Sequence, residues 1–171
     1  MLSSSNRKPS AIIAIDPDVD KSGVARLAGN ELELSSLSFP ELIDYLMRLK
    51  GAELNGGPKV VVIVEASWRI STNWHTGRYD TIRTAARKGK DTGRCHEVGR
   101  KIVECARHYG LEVVEKLPLK KIWKGKDGKI THDELNAFAH IPSRTNQEQR
   151  DAALLAWDHA GLPIRINLKK R

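Results

Sequence analysis

The chain has 171 residues, enough for one domain with a substantial core and too few for two ordinary ones. Its apolar share of 40% and charged share of 29% are expected of a soluble globular protein. No apolar run nears the roughly 18 residues that span a bilayer, so no membrane role is expected, and the only two cysteines, Cys95 and Cys105, exclude a disulfide framework and fit a reducing cytoplasm.

Twenty-nine Lys and Arg against 21 Asp and Glu give a net charge of +8, a surface that attracts polyanions. The basic residues are clustered. Between Ala66 and Lys101, nine Lys and Arg stand against three acids. Lys120, Lys121, Lys124, Lys126 and Lys129 form a second group, and Lys169, Lys170 and Arg171 close the chain. Clusters of this kind fit a grip on a phosphate backbone better than scattered solvation does.

The polar, basic stretch 1–10 carries no apolar run of signal-peptide length and is expected to be a flexible tail. Residues 11–164 form the expected domain, and 165–171 a second basic tail. Ala11 to Ile15 is an apolar strand followed by the turn signal Asp16-Pro17-Asp18. Gly23 to Ala28 and Glu31 to Leu37 are two further strands joined at Gly29-Asn30, a hairpin dipeptide. The second of them alternates as a half-exposed strand does.

Pro40 suits a first helical turn, and Leu42, Ile43, Leu46 and Leu49 fall on one face of the helix it opens. Lys59 to Val64 is almost wholly β-branched and predicts a strand buried on both faces. From Ala66 to about Thr92 no clean period exists, and the stretch reads as a long basic loop with some helix; such a loop in a compact domain is usually functional. Val98, Ile102, Val103 and Ala106 predict a helix stopped at Gly110, and Leu111 to Val114 a strand. Thr131-x-x-Glu134 and Thr145-x-x-Glu148 read as capping boxes, the second opening a helix that runs to Gly161. A hairpin-led mixed sheet with helices on its faces is an α/β architecture.

Carboxylates at the ends of buried strands require a reason, because a charge beside a core is costly unless paired or bound to metal. Asp16 ends the first strand and Glu65 the most buried one. Asp151 stands among Ala152, Ala153, Leu155 and Ala156, with Glu148 one turn earlier, about 4.5 Å along the axis. Converging, they would form a hard-oxygen site for Mg2+ or Mn2+. Each also has a structural reading: Asp16 as a turn cap, Glu65 as a strand-end surface residue, Glu148 as a capping-box partner, Asp151 as a first-turn acid. Asp158 shares the face of Asp151 but lies about 10 Å further on, too far for a common ion. A zinc site from His75, Cys95 and His96 lacks the usual paired spacing.

Read whole, the local sequences resemble RuvC-type Holliday junction resolvases of the ribonuclease H-like superfamily. Asp16-Pro17-Asp18, followed after three residues by Ser22-Gly23, is similar to their first motif. Val64-Glu65-Ala66-Ser67-Trp68 is similar to the second, and Glu148-Gln149-Arg150-Asp151-Ala152, continuing to His159-Ala160, to their acidic C-terminal helix. The resemblance runs from Ala11 to Gly161. It departs at Asp18, where the family usually has glycine, at Glu148, where Asp is more usual, and in a longer stretch between Glu65 and Gly99.

The resemblance implies a ribonuclease H-like fold, a mixed five-stranded sheet flanked by helices. It implies a crossover junction endodeoxyribonuclease with Asp16, Glu65, Glu148 and Asp151 as catalytic ligands of two Mg2+ or Mn2+ ions about 4 Å apart. It also implies a homodimer that nicks four-way junctions symmetrically, working beside a branch-migration helicase. Lys121 and Lys129 would lie near the scissile phosphate and Trp68 at the branch point, while Arg69, Arg83, Arg87 and Lys88, in the basic stretch after Glu65, are expected to bind DNA. Trp68 has a core reading as well. Two rival functions stand beside this one: another ribonuclease H-like nuclease acting on flaps, RNA-DNA hybrids or single strands, and a non-catalytic junction-binding relative.

Overall fold

The two most apolar runs of the sequence become the centre of the sheet. In the computed structural model, which describes residues 9–71, 77, 79–141 and 143–165, β1 (Ala11–Asp16) and β4 (Val60–Glu65) pair in parallel, with Ile15 opposite Val64. β2 (Ser22–Ala28) and β3 (Glu31–Leu37) continue the sheet antiparallel on one side. β5 (Glu112–Lys116) adds to β4 in parallel on the other, giving the order β3-β2-β1-β4-β5. This is the mixed five-stranded α/β sheet that the ribonuclease H-like expectation required. The β2–β3 hairpin turns at Gly29, whose φ of 59° suits glycine, and β3 exposes alternate residues as an edge strand should.

Alternation along the strands divides the core in two. Ile13, Ile15, Val62 and Val64 face α1 (Phe39–Leu54) and α2 (Ile82–His108), where Leu42, Leu46, Ile102, Val103 and Ala106 are buried. Ala14, Ala25, Val61 and Ile63 face α3 (His132–Ala139) and α4 (Gln147–His159), from which Leu135, Phe138 and the run Ala152 to Trp157 are buried. α4 comes directly against the sheet at Gly23, where any Cβ would run into the backbone carbonyl of Glu148.

Three expectations are corrected. The stretch read as a long loop is helical from Ile82, capped by the Thr81 side chain accepting from the Thr84 amide, so α2 is 27 residues long. A 3-10 turn, Ser67–Arg69, precedes it. The capping box that opens α4 is Asn146-x-x-Gln149 rather than Thr145-x-x-Glu148, with Asn146 accepting from the Gln149 amide and Gln149 from that of Asn146. The register is one residue later because Asn146 fills the cap and Thr145 instead accepts from Arg150. That helix also ends at His159, before Gly161. Most of the two expected basic tails, and His75, fall outside the described residues.

Candidate active site

Parallel pairing brings the first two acids together. Asp16 and Glu65 end adjacent strands, which run about 4.8 Å apart, one residue beyond the Ile15–Val64 pair. Each follows by two the residues Ala14 and Ile63, so both side chains project to the α4 face. Asp151 meets them there from α4, and Asp16, Glu65 and Asp151 line one cavity of about 830 Å³. Glu148, at the second position of α4, is close enough for its charge to act on Asp16.

The electrostatics record the crowding. Burial holds the Asp16 carboxyl well above the ordinary aspartate range, and the negative charges of Glu65, Asp151 and Glu148 push it further, with Lys129 acting the other way. Glu65 is raised chiefly by burial and then by Asp151, while the Ser67 hydroxyl, donating to its Oε1 at 3.2 Å, and Lys129 and Lys121 oppose the rise. Three acids on one cavity wall therefore repel one another, and Lys129 and Lys121 offset only part of that and of the burial.

One cation is built into the cluster. The Lys129 ammonium donates to Asp151 Oδ2 at 3.0 Å, and Gln147, one helical turn before Asp151, donates from Nε2 to Oδ1 at 2.7 Å. Burial alone would lower the Lys129 ammonium, but Asp151, through charge and hydrogen bond, and then Asp16 and Glu148 raise it above the ordinary lysine value. The loop that delivers it is tightly folded. Asp127 and Gly128 adopt left-handed φ values of 55° and 74°, the Trp123 amide donates to the Gly128 carbonyl at 3.0 Å, and Gly128 backs onto the Lys121 carbonyl. Lys121 and Lys129 thus line the cavity together.

The remaining expected residues are placed differently from one another. Trp68 is half-buried and packs beside the α1–α2 core with its ring against Gly99, where a Cβ would strike it; this supports its core reading. Arg69 is exposed on the 3-10 turn. Arg83 and Arg87 are exposed on the first turns of α2, while Lys88 is tied to Asp80 at 2.8 Å. Asp18 turns its Oδ1 back to the Asp20 amide, at 2.9 Å, serving its own turn. Asp158 pairs with Lys116 at the far end of α4 and is structural, as expected.

Three supporting residues escaped the sequence reading. Gln147 holds Asp151, Ser67 holds Glu65, and Arg150 binds the Ile130 and Thr145 carbonyls and the Gln147 side chain, joining α4 to the Lys129 loop. Gln147 stands four residues before Asp151, a spacing that places the two on one helical face. The other two carried no comparable signal.

The donors are all carboxylate oxygens, which suit a hard divalent cation; burial first and then mutual repulsion raise Asp16 and Glu65, and a bound cation offsets both. Among the described residues, no three His, Cys, Asp or Glu side chains are turned together as ligands of a single ion. Asp151 faces Lys129 instead. The acids fit the metal in kind and in neighbourhood, and ligation requires their side chains to turn.

No family model and no curated protein matches the sequence. Among solved structures, Thermus thermophilus RuvC in complex with a Holliday junction substrate is similar over 88% of this chain and 92% of its own, with 14% identity and a TM-score of 0.43. The Thermus thermophilus RuvC structure is similar over 88% of this chain and 93% of its own, with 16% identity and a TM-score of 0.43.

Proposed function

We propose that the chain is a divalent-metal-dependent endonuclease that nicks four-way junctions or related branched DNA, working as a homodimer. The observation that carries this reading is the meeting of Asp16, Glu65 and Asp151, from two strands and a helix, on one cavity that Lys121 and Lys129 also line. Acids and lysines on a common wall suit a phosphodiester: the lysines draw in the phosphate, and the acids bind the ions that act on it. Bound divalent ions supply Lewis-acid activation of water and neutralise charge on the reacting phosphate.

The chain's own residues do the rest. Gln147 and Ser67 orient Asp151 and Glu65, and the closed loop around Gly128 keeps Lys121 and Lys129 at the rim. Arg83 and Arg87, exposed on α2, offer two further phosphate contacts outside the cavity. Symmetric nicking of two strands needs two such sites, hence the homodimer.

The test is incubation of the protein with a synthetic four-way junction, a flap and an RNA-DNA hybrid in Mg2+, with the nicks mapped. Paired nicks placed symmetrically about the crossover support the reading. Cutting confined to the flap or hybrid replaces it with the rival nuclease, and junction binding with no Mg2+-dependent cutting replaces it with a binding protein.

A further inference from the structure

Three glycines interrupt α2, and only one has a packing reason. Gly99 makes room for the Trp68 ring. Gly89 and Gly93 have no atom within 4 Å of where a Cβ would stand, yet each weakens a helix relative to alanine. They are four residues apart, on one face of the helix, and both line the cavity that holds Asp16, Glu65 and Asp151. Leu117, Leu119, Ile122 and Trp123 line the same cavity.

The cavity is therefore more than a seat for ions. Its volume of about 830 Å³ lies in the range of roughly 300–1,000 Å³ that encloses a whole small ligand. Its lining joins carboxylates and lysines to aliphatic and indole side chains. Ile122 is exposed at 51% and Leu117 at 53%, apolar surface without a covering partner among the described residues. A phosphate has no use for such a wall, whereas a nucleobase, with two apolar faces, does.

We infer that this cavity takes an unstacked nucleotide next to the phosphate held at the acids, its base lying between the glycine face of α2 and the wall formed by Leu117, Leu119, Ile122 and Trp123. The inference rests on the reading of the acids as a phosphodiester-cleaving site and specifies its substrate: DNA that is locally single-stranded at the point of cutting. Stacked duplex cannot place a base there. Gly89 and Gly93 add no side chain to that part of the lining.

Filling the space tests this. The full chain, in EDTA, is titrated with a short oligothymidylate and separately with a blunt duplex, reading fluorescence anisotropy. Gly93→Phe and Gly89→Phe, each built on a position with open space, are expected to weaken oligothymidylate binding about tenfold and duplex binding less than about twofold. Thermal melts confirm that the variants are folded. Unchanged oligothymidylate binding by both folded phenylalanine variants overturns the inference, as does an equal loss on the two DNAs. The nuclease reading fails separately, as absence of Mg2+-dependent cutting by the wild type. Oligothymidylate binding that the phenylalanine variants remove stands in that event as well.

Discussion

Lys129 and Asp151 form an ion pair at the heart of the candidate site, Nζ to Oδ2 at 3.0 Å, with their side chains 34% and 17% exposed. The ammonium occupies the carboxylate face that a metal ion would need. Lys129→Met leaves Asp151 beside Asp16 and Glu65 without its paired cation. Fully buried pairs lose more on breaking, but this one is a third exposed on the lysine side, so a loss of about 1–2 kcal/mol is expected, a Tm lower by roughly 4 °C in EDTA. Mn2+ should bind the variant more tightly, because its competitor is gone. Calorimetric titration reads this directly, and an unchanged Mn2+ affinity would show that the pair does not guard the site.

Asp16→Asn should make the metal-free protein more stable while abolishing cutting. The folded environment raises the Asp16 carboxyl above its unfolded value, through burial first and then Glu65. The wild type therefore loses stability as pH climbs from the ordinary aspartate range, about 4, through the folded value, because ionisation is disfavoured only in the native state. Asparagine does not ionise. The variant should melt about 3 °C or more above wild type at about pH 8 in EDTA, with the gain fading toward about pH 4. A variant that melts lower at the higher pH would mean the carboxylate is compensated.

Glu148 lies outside the α4 capping box, which Asn146 and Gln149 close without it. Its charge acts on Asp16 instead. Glu148→Gln should leave the Tm within about 1 °C of wild type, since no cap is lost. Cutting should fall by orders of magnitude, and Mn2+ should bind more weakly. Cutting at the wild-type rate would remove Glu148 from the site.

Trp68 contributes to packing, so Trp68→Ala should cost stability first. Removing a half-buried indole from beside Gly99 is expected to cost about 2 kcal/mol, below the range for a fully buried aromatic. Junction binding by the folded variant should change little. Chemical denaturation and a junction titration separate the two effects, and a large loss of affinity at unchanged stability would restore Trp68 to the DNA.

Much of this site was legible because strands state their burial plainly. Alternation and β-branching located β1, β3 and β4 and put an acid at the end of two of them, while only the resemblance grouped those acids with Glu148 and Asp151; the parallel pairing of β1 and β4 is a finding of the structure. The first half of α2 was illegible for a physical reason: residues 82–98 contribute no fully buried side chain and include two glycines, so they show no apolar period. The cap of α4 was ambiguous because Thr145 and Asn146 are adjacent and both are good caps. Composition and periodicity did not single out Lys129 among several lysines; only the resemblance to the resolvases named it, together with Lys121. Its place comes from a left-handed turn at Asp127 and Gly128, a conformation that local sequence permits but does not dictate.

The contact at Gly23 gives the site its dimensions. Asp16 and Glu65 belong to the sheet, Glu148 and Asp151 to α4, and the two bodies touch where β2 has no side chain. The gap between the pairs of acids is thus set by the thickness of one glycine, on a strand that supplies none of them. A methyl group there would act as a wedge, opening the jaws of the site without altering any residue inside it. Spacing within the candidate site is a property of a backbone joint as much as of the acids that it brings together.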